Sequence, residues 1–305
     1  MSGGAGEQSE RWPVHLALVS AQTGFALFPI FGKLALASMP AFVLAALRVL
    51  LASALLDLVR RAGRHPSIAR RDRGAVLLYA LLGVSFNQVL YILGLSLTTA
   101  INTTILTATI PIFTLICAVA LGHEAMTARA AGALVLAGAG ALLLLDLRHF
   151  DWHSRFLRGD LLLIGNAVCY SFYLVLSRPI LARYSALTVV SRVFLYGAGP
   201  IVLVAIPSFA GFAPARVTPL SWSSLAAVVL FCTVLPYLAI SWALARAQAS
   251  RVAFYVFLQP LVASILAVLV LGERLSGRTA VAGALILAGL ALSMVRGRLP
   301  SRPVP

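Results

Sequence analysis

The chain has 305 residues, 61% of them hydrophobic and 11% charged, with a net charge of +15 and a mean hydropathy of +0.97. Soluble domains carry about 25% charged residues, so this composition excludes a water-soluble fold and makes the bilayer the solvent. In such a chain a large positive charge is a question of which loops hold the arginines before it is a sign of nucleic acid.

Apolar runs of about 20 residues, each enough to cross roughly 30 Å of hydrocarbon, recur from Val14 onward and leave no room for a soluble domain. The predicted helices are 14–36, 41–60, 75–97, 100–121, 128–145, 160–178, 187–206, 221–244, 250–271 and 279–296. The first is kept as a membrane helix despite an "ALA" at 35–37, because the apolar run before it is too long for a signal peptide. At 100° per residue, His15, Gln22 and Lys33 fall within about 20° of one line along it. Lys33, the chain's one lysine, reads equally as cavity lining or as a side chain snorkelling to the interface. The second helix carries Arg48, with Asp57 on its opposite side near the end, read as interfacial. The third offers Asn87 and Tyr91 beside Gln88, and the fourth Asn102, Thr103, Thr107 and Thr114 around Pro111. Helices five and ten are almost wholly Ala, Gly, Leu and Val and read as packing scaffold.

In the sixth helix Asn166, Tyr170, Tyr173 and Ser177 recur at spacings of four, three and four, one continuous face. The seventh holds Arg192, and the eighth has Thr233, Tyr237 and Ser241 at spacings of four. The ninth repeats that pattern with Arg251, Tyr255 and Gln259, ahead of Pro260. A polar side chain in a membrane helix is costly and is expected to face a cavity or another helix, so each stripe is either cavity lining or interhelical hydrogen bonding. The three cysteines, Cys117, Cys169 and Cys232, fall in apolar segments and read as small buried thiols. Embedded acids are nearly absent, and Glu124 and Glu273 sit at helix ends, where capping of the next helix is favoured over proton coupling. Arg48, Arg192 and Lys33 are thus unmatched by buried carboxylates, which favours an anionic or zwitterionic substrate.

Placing both termini in the cytoplasm puts 15 basic residues on that side and seven on the other, so the positive-inside rule favours N-in, C-in. "AGALVLAG" at 131–138 returns as "AGALILAG" at 282–289. Pro111 and Glu124 are spaced like Pro260 and Glu273, "LRVLL" around Arg48 is answered by "SRVFL" around Arg192, and Lys33 by Arg178. The expected fold is therefore all-α integral membrane, with ten transmembrane helices as two inverted five-helix repeats, 14–145 and 160–296. Five helices is an odd number, so the second copy enters from the opposite side, and the binding site of such a fold lies near the midplane between the halves.

With a basic residue late in helix 1 (Lys33), Pro40 and Arg48 opening helix 2, Pro111 and Pro260 in helices 4 and 9, "LQP" at 258–260 and "LGE" at 271–273, the chain resembles the drug/metabolite transporter superfamily in its ten-helix EamA-type branch. The first copy departs at "LGHE", where His123 stands between Gly122 and Glu124. The resemblance implies export or exchange of small metabolites, from amino acids to drugs, through a cavity between the repeats.

The reading that follows is a secondary transporter, not an enzyme, moving small amphipathic metabolites such as amino acids by alternating access in a plasma membrane, bacterial inner membrane for preference. The expected cavity lining is Gln22, Lys33, Arg48, Asn87, Tyr91, Asn102, Asn166, Tyr170, Tyr173, Arg192, Tyr237, Tyr255 and Gln259. No catalytic constellation, metal set, nucleotide loop or cofactor site is expected. The partners are a small-molecule substrate and the lipid bilayer, without nucleic acid, the carrier being a monomer or a homodimer. Two rivals are a lipid-modifying membrane enzyme, for which His149, Asp151 and His153 are the candidate residues, and a passive channel.

Overall fold

A computed structural model describes residues 3–122, 126–145, 154–244, 246 and 255–294. His123, Glu124, His149, Asp151, His153 and Arg251 lie outside the described residues. Within them every regular element is helical, the form in which a backbone satisfies its own hydrogen bonds inside lipid. We number them α1 (Gly3–Leu36), α2 (Ala41–Ala62), α3 (Arg70–Leu97) and α4 (Ala100–Ala120), and α5 (Ala128–Leu145). Then come α6 (Arg155–Leu181), α7 (Ala186–Phe209), α8 (Pro219–Leu244), α9 (Leu258–Leu271) and α10 (Gly277–Met294).

Seven are long and apolar enough to cross a membrane: α1 over Trp12–Leu36, α2, α3, α4, α6, α7 and α8. Shorter apolar stretches, 131–140 and 277–289, lie in α5 and α10. Large apolar side chains such as Leu203, Leu269 and Val135 point outward, while Gln22, Arg48, Asn87, Gln88 and Asn166 are buried. This is the inside-out polarity expected when lipid is the solvent.

Three predicted elements change. α6 starts at Arg155, not 160. Its first turn reads as a charged loop, yet Leu157 and Gly159 are buried, so Asp160 lies inside the helix and the count of embedded acids was too low. α9 begins at Leu258 after a 3-10 turn at Tyr255–Phe257. That puts Pro260 in the first turn, where the missing N–H costs nothing. Pro111 does break its helix, dividing α4 into Ala100–Thr107 and Ile110–Ala120.

The packing has a regular pattern. α2 packs on α7 and α5 on α10; α3 packs on α6 as α1 does on α8; α6 packs on α4 as α1 does on α9. Both α3 and α8 carry a stretch of π-helix, Leu81–Phe86 and Leu230–Val234. Gly122 and Gly272, at the ends of α4 and α9, both have positive φ, a conformation that costs a glycine little.

Candidate functional site

The π segments bring side chains of α3 and α8 to the middle of the molecule, where Arg48 of α2 is buried with 1% of its surface exposed. Its Nε donates to Thr233 Oγ1 at 2.7 Å, and Nη1 donates to Gln88 Oε1. Its guanidinium carbon stands 3.7 Å from the centre of the Phe28 ring, a cation–π geometry. Phe28 in turn stacks on Tyr91 with centroids 4.4 Å apart. Gln88 Nε2 donates to Tyr237 Oη at 2.9 Å, and Tyr237 Oη donates to the carbonyl of Gly83 at 3.2 Å, inside the π segment of α3. Asn166 Nδ2 donates to the Asn87 carbonyl at 2.8 Å, and Gln259 donates to Gln22 Oε1.

These groups line a cavity with about 820 Å³ of unfilled space, its mouth and adjoining solvent included. It runs from the level of Phe28 and Tyr91 toward Thr114, Leu244 and Val256. Among the described residues no aspartate or glutamate lines it, and Arg48 brings a formal charge to the wall. Gln22 Nε2 and Tyr170 Oη are buried in this wall without a hydrogen-bond partner. Aromatic faces supply apolar contact and the amides and the guanidinium supply orientation, a lining suited to an amphipathic organic molecule.

Of the residues expected from the sequence, Gln22, Arg48, Asn87, Tyr91, Asn166, Tyr170, Tyr237 and Gln259 stand on this wall. Tyr173 is buried against Gly83, and Tyr255 bonds to His15. Asn102 donates to Thr98 Oγ1 at 3.4 Å. Lys33 donates to the Thr98 carbonyl, so its charge is spent on a helix end. Arg192 requires a correction: its Nη2 lies 3.3 Å from Asp57 Oδ1, so it has a carboxylate partner. Asp57 is itself buried, accepting also from Arg60 at 2.9 Å and Arg61 at 2.6 Å. A face count along α2 alone does not reveal a partner on α7. Sequence reasoning also omitted Phe25, Phe28, Leu174, Ile240 and Val256 from the wall, because an apolar residue in an apolar helix gives no contrast.

Past Phe28 the cavity ends in a closure at what we term the Lys33 end. There Gly94 of α3 meets Gly159 of α6, where an added Cβ on Gly94 would stand 2.7 Å from Leu163 Cγ and 3.0 Å from the Gly159 carbonyl. Arg155 Nη2 donates to the Ser96 carbonyl at 3.1 Å. Glu273, expected to cap the next helix, instead accepts from the Ala100 and Ile101 amides at 2.7 and 3.0 Å, capping α4. Ser221 Oγ donates to the Leu34 carbonyl at 2.9 Å, tying α8 to α1.

A model of the EamA-like transporter family matches residues 12–146 and again 157–295. The chain belongs to that family. This EamA-like transporter is 31% identical over 287 residues to an uncharacterized transporter of Archaeoglobus fulgidus, across 92% of this chain and 97% of the other. It is 29% identical over 225 residues, 73% of each chain, to a probable terminal-alkyne amino-acid exporter of Streptantibioticus cattleyicolor. A crystal structure 21% identical in sequence superimposes with a TM-score of 0.66, covering 92% of this chain and 96% of the other, and shares the fold. The protein is a multi-pass membrane protein of a transporter family, and a lipid-modifying enzyme is set aside.

Proposed function

We propose that this EamA-like transporter exports or exchanges small amphipathic metabolites bearing a carboxylate, amino acids or related compounds, by alternating access in a bacterial inner membrane. The observation that carries the reading is the cavity wall: stacked aromatics, five amide side chains and a buried arginine with no acidic residue among the described lining. The relative named as an amino-acid exporter supports the substrate class. The matching contacts of α3 with α6 and α1 with α8, and the paired π segments, support two inverted five-helix repeats. In that arrangement ten helices cross the membrane with both termini in the cytoplasm, and the cavity opens to the cytoplasmic side with the Lys33 end closed.

The test is counterflow in proteoliposomes against a panel of amino acids and related carboxylates. Saturable counterflow of one compound is expected, and Arg48→Ala should weaken its half-saturation about 10- to 100-fold, the loss of a charge-assisted hydrogen bond. Absence of counterflow for every compound, or an unchanged response in the variant, overturns the reading. Orientation is tested by labelling a single cysteine at Ser67, expected to react from the cytoplasmic face.

A further inference from the structure

Asp160 takes no part in the cavity wall, yet the fold buries it to 2% exposure on the second turn of α6. The side chains of Thr98 and Asn102, from the α3–α4 turn, face its carboxylate. Its Oδ1 is buried and accepts no hydrogen bond from the described residues. The charged groups around it come from each packed element: Arg278 of α10 acts on it at longer range, and Lys33 of α1 is directed at the Thr98 carbonyl. Glu273, after α9, is held by the α4 amides. On α6 itself, Arg155 reaches the Ser96 carbonyl and Arg158 is exposed.

An ionised carboxylate taken from water costs several kcal/mol unless its oxygens are satisfied. The groups facing Asp160 among the described residues, Thr98 and Asn102, are neutral, and its Oδ1 is left unsatisfied. A proton removes the charge, and water would do the same service only if α6 drew away from the α3–α4 turn. Those are the parts that the Gly94–Gly159 contact and the Arg155–Ser96 bond hold together.

We infer that Asp160 is a proton-binding site in the closure, holding a proton while the Lys33 end is sealed and giving it to water on that side when the end opens. This rests on the alternating-access reading. The proton leaves as the carboxyl becomes carboxylate and returns from the same compartment on resealing, so the site makes opening depend on pH without carrying protons across. The sign follows: the sealed form binds the proton more tightly, so it is favoured at low pH. Between the two affinities the sealed-to-open ratio falls by about tenfold per pH unit.

The test uses the full chain in proteoliposomes, with Cys117, Cys169 and Cys232 replaced and a single cysteine at Ser96, labelled by a membrane-impermeant maleimide. Thiol chemistry itself varies with pH, so the readout is the labelling rate relative to the same protein carrying Asp160→Asn, which mimics the protonated carboxyl. That ratio should rise with pH; a flat ratio overturns the link to opening. Infrared spectra supply an independent measurement: at mildly acidic pH the parent protein should show the carbonyl band of a protonated carboxyl in a dry site, absent from Asp160→Asn and shifted in Asp160→Glu. A parent protein without the band overturns the proton site. Labelling absent from both proteins at every pH, with the band present, overturns alternating access instead and leaves the proton site supported.

Discussion

At the scale of single residues, charge is divided between structure and cavity. Arg192 is committed to Asp57 at 3.3 Å, with 14% and 13% of their side chains exposed, and removing Asp57 strands Arg192, whereas removing Arg192 leaves Asp57 with Arg60 and Arg61. Asp57→Asn and Arg192→Gln should each lower the thermal midpoint in detergent, and the double variant should recover part of the loss, a coupling of roughly 0.5–3 kcal/mol in a double-mutant cycle. Strict additivity would mean the pair contributes nothing. Arg48, in contrast, is bonded among the described residues to the neutral Thr233 and Gln88, so its charge remains for a ligand. Spacing in the sequence located Asn166 with Tyr170 and Asn87 with Tyr91, since an embedded polar stripe has few places to point. It did not locate Phe28, which looks like any other apolar residue until the guanidinium above it is seen, nor Asp160, hidden in a run of charged residues resembling a loop.

At the scale of elements, the all-helical, membrane-spanning character was legible from apolar length alone, because a hydrocarbon slab imposes that length. What one element does to another was not. Glu273 sits next to α10 in sequence and caps α4, joining two helices far apart in the chain. Glu273→Ala should cost about 1 kcal/mol, the usual worth of a cap, seen as a lower thermal midpoint; no change would reduce the contact to coincidence. The Gly94–Gly159 approach leaves little room for a side chain, an added Cβ on Gly159 meeting the Gly94 carbonyl and the Thr98 amide at 3.0 Å. Gly94→Val should therefore hold α3 off α6 and raise maleimide labelling of a cysteine at Ser96 in folded protein; unaltered labelling would show the closure to lie elsewhere.

At the scale of the whole molecule, the family model matches twice, over 12–146 and 157–295, in keeping with the proposed pair of repeats. Short motifs pointed to that proposal in the sequence, since duplication leaves Gly, Pro and Glu at matching offsets even where other residues have drifted. The π segments had no such signature: Leu81–Phe86 and Leu230–Val234 are ordinary apolar runs. Each π turn inserts a residue relative to α-helix, and one residue is worth about 100° of rotation. The lower and upper parts of α3 and of α8 are thus out of phase with each other. One part of each helix is keyed to its packing neighbours, and the part beyond is turned so that Asn87, Gln88, Tyr91 and Tyr237 look inward. Deleting Leu82 would restore continuous winding, leave the packing of Val76 and Tyr79 in place, and rotate the amides and the tyrosine out of the cavity. A folded protein with no counterflow is the expected result, so in this transporter helical phase works as a determinant of recognition separate from residue identity.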